Sequence, residues 1–194
     1  WTNEHREGKD PEKFINEHFN SLMMHLKPFE EKAKKRDDQG DYWWELRHCA
    51  YYPEFEKEKI IYPNMTKFLP FAYDINEIYP NPKCYILTGN NLKYLLGIFN
   101  SNVCSYWIRQ NCPELQGGTR EVQSRIFLNY SVPPITSSNQ PIVSQIESLV
   151  DQILAAKKQN PQADTSYWER EIDQLVYRLY ELTEEEIKIV ENNK

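Results

Sequence analysis

The spacing of apolar residues changes twice along the chain, near residues 42 and 136. Asp10-Pro11 reads as an N-cap followed by proline at the first helical position. Behind it Ile15, Phe19, Leu22, Leu26, Phe29 and Ala33 alternate at intervals of four and three, one face of an amphipathic helix over residues 11–36. Pro28 is expected to kink or divide it, and the polar run Arg36 to Asp41 to end it in a turn. From 42 to 135 the helical period gives way to short aromatic or β-branched runs: Tyr42-Trp43-Trp44, Tyr51-Tyr52-Pro53, Lys59 to Pro63, Leu69 to Tyr73 and Cys84 to Thr88. Pro, Gly and Asn punctuate them, which predicts short edge strands with bulges and irregular connections.

Within that region Asn91 to about Arg109 carries Leu92, Leu95, Leu96, Phe99, Val103, Tyr106 and Trp107 at helical spacing. A Gly117-Gly118 turn follows, then a final strand over 126–130, closed by Val132-Pro133-Pro134-Ile135. Thr136 to Gln140 reads as a polar linker. Beyond it Ile142, Ile146, Leu149, Ile153 and Ala156 mark one helix, and Trp168, Ile172, Leu175 and Leu179 mark a second that starts at Asp164 or Thr165. Thr183-Glu184-Glu185-Glu186 is a capping box opening a third. Helices joined by so short a connection pair antiparallel. The pattern predicts an α+β fold: a small irregular mixed β-sheet with packed helices, followed by a C-terminal antiparallel helical hairpin. It divides into residues 1–135, with an N-terminal helix 11–36 and a mixed α/β core 42–135, and residues 136–194, a hairpin packed on that core or acting as a spacer. No internal repeat stands out.

Composition changes this picture in one respect. The chain has 194 residues and a net charge of −6, which argues against a uniformly basic nucleic-acid-binding domain. The acid is unevenly distributed, however. Residues 136–194 carry −5 and residues 41–135 are neutral, while the stretch 83–125 is locally +3, with Lys83, Lys93, Arg109, Arg120 and Arg125 against Glu114 and Glu121. The centre is therefore free to meet an anion. No apolar run is long enough to span a bilayer and the N-terminus lacks the shape of a signal peptide, so a soluble, cytoplasmic protein is expected. Trp1 in place of Met reads as the start of a segment of something longer. Cys49, Cys84, Cys104 and Cys112 form no CxxC pair, and His5, His18, His25 and His48 lack metal-binding spacing. Reduced thiols and no metal site are expected.

No catalytic apparatus is legible. The chain has no P-loop, no GxGxxG, no GxSxG and no Asn-Pro-Pro-Tyr loop. Asp173 with Glu186-Ile187-Lys188 has the spacing of a Mg²⁺ nuclease, but Asp173 falls mid-helix and Glu186 belongs to the capping box. His48 beside Cys49 has no orienting acid and no oxyanion donors. What rises above background is a mixture of amides, aromatics and bases in loops. Arg47, His48 and Tyr51 follow Trp43-Trp44-Glu45-Leu46; Asn64, Thr66 and Lys67 follow a strand end; Gln116, Gly117, Gly118, Thr119 and Arg120 join a permissive turn to polar side chains, with Arg125 close behind. Such residues suit duplex DNA. Arg and Lys reach guanine's major-groove acceptors, Asn and Gln bracket adenine, Lys neutralises phosphate, and glycines let backbone N–H groups approach it. Scattered loop charges of this kind are usually ordinary solvated surface. Lys57 and Lys59 alternate with Glu56 and Glu58, the mark of a solvated face, and Trp43, Trp44 and Trp107 read as core. Lys67 and Arg120 are the strongest DNA candidates.

Several blocks, taken in order, carry a family likeness. They are Leu26-Lys27-Pro28-Phe29 through Lys34-Lys35-Arg36-Asp37; Tyr42-Trp43-Trp44-Glu45-Leu46-Arg47; Phe55 to Ile61; Asn91-Leu92-Lys93-Tyr94-Leu95-Leu96-Gly97-Ile98-Phe99-Asn100-Ser101; Gly117-Gly118-Thr119-Arg120; and Val132-Pro133-Pro134-Ile135. The tail from Glu171 to Ile187 continues it. In this order they resemble the TaqI-like C-terminal specificity domain of type IIG restriction-modification enzymes. Phe99-Asn100-Ser101 departs conservatively from the family's frequent Leu-Asn-Ser.

The resemblance implies a target recognition domain for double-stranded DNA, non-catalytic by itself, serving an adenine-specific methyltransferase and endonuclease of the same chain in phage defence. S-adenosylmethionine and Mg²⁺ are implied for those parent domains and no cofactor for this segment. Specificity residues vary within the family, so no base contact carries over. The alternative left open is a protein-interaction module that docks a partner through its C-terminal helices, which requires the apolar faces of residues 142–182 to be exposed.

Overall fold

The computed structural model describes residues 7–68 and 71–192, and the chain forms two compact units, residues 1–52 and 53–194. None of its described helices is long and apolar enough to cross a membrane. The α+β class expected from the sequence is the class observed.

In the first unit α1 (Pro11–His18) begins as read, with Lys13 N–H donating to Asp10 Oδ1 at 2.9 Å. The single helix expected over 11–36 is instead broken. Phe19 leaves the helical region (φ −135°, ψ 39°), α2 (Asn20–Leu26) restarts, and a 3₁₀ turn at Lys27–Phe29 carries Pro28 into α3 (Glu30–Ala33). Proline supplies no N–H to the helix ladder, which explains the second break. The first break re-aims the apolar stripe. Phe14, Ile15 and Met23 are buried, whereas Leu22 and Phe29 are left about half exposed.

Tyr42-Trp43-Trp44 is not a strand. Arg36 reaches over and donates from Nη2 to the carbonyls of Trp43 (3.0 Å) and Glu45 (2.7 Å). The rings stack on each other rather than on a sheet, Tyr42 on Trp44 at 4.9 Å and Trp43 edge-on to Trp44 at 5.6 Å. Tyr52–Glu56 is a 3₁₀ turn and not the strand expected at 51–53.

The second unit is built on a three-stranded antiparallel sheet. β1 (Lys59–Pro63) lies between β3 (Ala72–Asp74) and β4 (Cys84–Thr88), with Ile60 opposite Tyr73 on one side and Leu87 on the other. β2 (Met65–Thr66) leaves that sheet to pair antiparallel with β5 (Arg120–Glu121), so that Thr66 faces Arg120 in register.

The helical run 91–109 is two helices, α4 (Leu92–Phe99) and α5 (Asn102–Asn111). Ser101 is the break, donating from Oγ to Ile98 O at 2.6 Å and accepting from Cys104 N–H at 3.4 Å. Asn100 beside it mimics a strand, with Nδ2 donating to Phe71 O at 2.9 Å and Oδ1 accepting Phe71 N–H at 3.3 Å.

The strand expected at 126–130 is instead the end of α6 (Ser124–Phe127) and the turn after it, where Tyr130 N–H donates to Phe127 O at 2.9 Å. The helical spacing puts Phe127 and Tyr130 on one side, stacked at 5.9 Å and 6° in an aromatic core with Tyr62, Phe71 and Phe99. α7 (Gln140–Gln159) and α8 (Ser166–Leu179) pair as the expected hairpin, and α9 (Glu184–Asn192) opens on the expected capping box. Glu186 Oε2 accepts Thr183 N–H at 2.8 Å, and Thr183 Oγ1 accepts Glu186 N–H at 3.3 Å. The hairpin packs on α4 so closely that a Cβ added to Gly97 would lie 2.5 Å from Ile146 Cγ2.

Candidate nucleic-acid interface

Two crossings of the chain make the site, one through β2 and one through β5. Asn64 turns the chain out of β1. Its N–H donates to Lys83 O (2.8 Å), its carbonyl accepts Val122 N–H (2.7 Å) and its Oδ1 accepts the Tyr85 hydroxyl (3.3 Å). Its backbone groups and its amide oxygen thus hold the ribbon. Thr66 Oγ1 then bonds the Phe68 carbonyl and accepts Phe68 N–H at 3.1 Å. That tight local turn pushes the next two side chains outward. Lys67 is exposed, and Phe68 is 77% exposed. Among the described residues Lys67 makes no ion pair.

The partner crossing is the loop before β5. Leu115 N–H donates to Thr119 O at 2.7 Å and Glu121 N–H to Pro113 O at 3.0 Å, closing a turn around Gln116, Gly117 and Gly118. Both glycines sit at positive φ, 77° and 76°, and a Cβ at either would meet nothing within 4 Å. Conformation and not crowding selects glycine here, and the backbone stands open to approach. Arg120 is half-buried, with Nη2 2.7 Å from Glu114 Oε2 and Nη1 donating to Cys112 O at 3.5 Å.

The ribbon faces α5 across a cleft of ≈ 380 Å³. Thr66, Lys67, Phe68, Gly118 and Arg120 line one side; Asn102, Ser105, Ile108 and Arg109 line the other. Of the residues singled out from the sequence, the fold thus gathers Thr66, Lys67, Gly118 and Arg120, with Gln116, Gly117 and Thr119 on the adjoining turn. Arg125 does not line the cleft; it is exposed on α6 and donates to Gln123 Oε1 at 2.6 Å. Arg47, His48 and Tyr51 belong to the first unit. Arg47 lies 3.6 Å from Asp38, His48 Nε2 lies 3.2 Å from Asp41 Oδ1, and Tyr51 is exposed. Asp41, Glu45 and His48 bring one potential ligand atom each within 4.8 Å, but Asp41 and His48 are exposed and paired with each other, as in a surface ion-pair cluster.

Sequence reading missed Asn102, Ser105 and Arg109. Their i, i+3, i+7 spacing is a polar stripe on a single helical face, hidden because α5 reads as the continuation of an apolar helix. Lys59 is a correction of the opposite kind. Its alternation with glutamates reads as a solvated face, yet its side chain is fully buried. Nζ lies 2.6 Å from Asp74 Oδ2 and also donates to Phe55 O at 2.5 Å. Burial alone would raise the Asp74 carboxyl. The Lys59 ammonium and the N–H groups of Asn76 and Ile78 outweigh it and hold the carboxyl below its ordinary value. This lysine holds the sheet and is out of reach of any phosphate. The nuclease-like spacing also dissolves, because the Asp173 carboxylate accepts from Asn102 and that of Glu186 from Thr183.

The model of the TaqI-like C-terminal specificity domain family matches residues 8–127. The match takes in both strands of the ribbon and α5, and it ends before the C-terminal hairpin. No curated protein matches the chain.

Proposed function

The chain belongs to the family of TaqI-like C-terminal specificity domains, and from that premise we propose that it reads a specific sequence in double-stranded DNA through the β2–β5 ribbon and the facing side of α5. The observation that carries this reading is the antiparallel register of Thr66 with Arg120, which gathers Lys67, Arg109 and Arg120 around one cleft. A two-stranded ribbon fits the major groove, which is about 12 Å wide. Lys67 neutralises a phosphate, Arg120 addresses the O6 and N7 acceptors of guanine, Gln116 addresses adenine, and the open backbone at Gly117 and Gly118 approaches the sugar-phosphate chain.

Recognition is the whole contribution of this chain, in cis to the methyltransferase and nuclease domains of a type IIG enzyme. S-adenosylmethionine and Mg²⁺ serve those domains. The cationic lining of the cleft suits phosphate and base acceptors rather than a divalent cation, and no step here runs through either group. With its acid concentrated after residue 135, the chain by itself binds weakly and with strong salt dependence.

Selection from a pool of random duplexes across a salt series tests the reading. The expected result is an enriched sequence whose affinity falls steeply with salt. No enrichment at any salt concentration overturns it. The competing module that docks a partner through exposed helical faces is not favoured, because Val143, Ile146, Val150, Ile172, Leu175 and Val176 are all buried within their own unit.

A further inference from the structure

Asn102 stands at the start of α5, on the cleft, and the hydrogens of its amide are already committed. Nδ2 donates to Asp173 Oδ2 at 2.7 Å and to the Tyr177 hydroxyl oxygen at 3.1 Å, while the backbone N–H of Asn102 donates to Asp173 Oδ1 at 2.7 Å. A carboxylate only accepts, so the amide cannot be turned over without setting oxygen against oxygen. Tyr177 agrees with this orientation. Its hydroxyl donates onward to Glu191 Oε1 at 3.4 Å and so presents its oxygen to Asn102. Burial pushes the Tyr177 phenol up to about 12, which keeps that proton in place. What remains of the Asn102 side chain is one polar atom, Oδ1, with no partner among the described residues.

An unconstrained asparagine reads adenine with both ends of its amide, donating to N7 and accepting from N6. Here the donor end is spent on α8 and only the acceptor end is free. We propose that Asn102 Oδ1 is a base-reading acceptor that selects the exocyclic amino group of adenine or cytosine at one position of the target. The proposal rests on the reading of the cleft as a duplex DNA site. Guanine O6 and thymine O4 present acceptors at the same edge, and each meets Oδ1 with its lone pairs unpaired. The discrimination is therefore largely repulsive.

The test uses the full chain and the duplex it selects from a random pool. Each adenine of that duplex is replaced in turn by purine, and each cytosine by 2-pyrimidinone, which deletes one amino group at a time. The expected result is a single position where the deletion costs the wild type about ten- to hundredfold in affinity and costs Asn102→Ala nothing further, the penalties elsewhere being unchanged. Asn102→Ser keeps a hydroxyl donor for Asp173 but lacks the amide oxygen. It gives the same answer if the alanine variant does not fold. If a sequence is selected but both folded variants retain every amino-group penalty of the wild type, Asn102 serves only to dock α5 on α8, and the inference is overturned while the DNA reading stands. If no sequence is selected, both are overturned.

Discussion

The three-stranded sheet and the two-stranded ribbon are made from one continuous piece of chain and treat charge in opposite ways. Lys59 and Lys67 stand on either side of Pro63-Asn64. Lys59 lies on a central strand, with Asp74 opposite it on β3 and Thr88 opposite it on β4, so its ammonium is walled in and fully paired. Lys67 follows a two-residue strand that has one neighbour, and the Thr66 turn directs it to solvent. The same residue type is a structural staple in one place and an available cation in the other. Neighbour count on the sheet, not local sequence, separates them.

The largest effect expected from this contrast is on stability. Lys59→Ala leaves Asp74 charged and buried without its counter-ion and should cost about 3–5 kcal/mol, whereas Lys67→Ala should stay within about 0.5 kcal/mol. Denaturant midpoints of the two variants measure it, and equal losses would erase the distinction. The pH dependence follows from the same pair. Because the folded Asp74 carboxyl is held below its unfolded value, its contribution is complete above about pH 4 and disappears as the pH falls through the lower, folded value. Asp74→Asn should lose that part of the acid sensitivity, as read from unfolding free energy against pH.

On DNA the effects lie with the ribbon and not with the buried Lys59. Arg120→Ala should lower specific affinity by about 1–3 kcal/mol and relax one position of the target, while Lys67→Ala should weaken all sequences alike and reduce the slope of log affinity against log salt by about one. Binding isotherms at several salt concentrations separate the two outcomes. If both variants bind like wild type, the ribbon is not the interface.

The glycines give a smaller version of the same comparison. Gly97→Ala forces a methyl against Ile146 and should cost about 1–3 kcal/mol. Gly117→Ala meets nothing and should cost about 1–2 kcal/mol through its positive φ alone. Ile146→Ala, which removes the Cγ2 methyl, should cost less in the Gly97→Ala background than in the wild type, and should show no such coupling with Gly117→Ala.

Local signals were legible wherever one residue decides the geometry. Asp10 and Thr183 cap the helices whose starts they mark in the sequence, and the apolar periods of α7 and α8 are those of a paired hairpin. The misreadings share a cause, which is that a long-range partner overrode a local pattern. Phe127 and Tyr130 look β-like in sequence, but the aromatic core takes them on a helical turn. The apolar run through Asn100 and Ser101 looks continuous, yet Asn100 bonds to the backbone of Phe71. The candidate site divides in the same way. Lys67, Gly118 and Arg120 could be singled out because turn chemistry and charge are local. Asn102 and Arg109 could not, because only the approach of α5 to the ribbon gives them a shared cleft.

By itself the sequence determined the α+β class, the capped helices, the C-terminal hairpin, the uneven charge and the family likeness, all of which rest on short spacings and residue chemistry. Tertiary structure alone decided that one lysine is buried and the other exposed, that helices break at Phe19 and Ser101, and which polar side chains meet at one cleft. Those outcomes depend on burial and on partners tens of residues away, and a low-dielectric neighbourhood can turn a surface-like charge into a structural one.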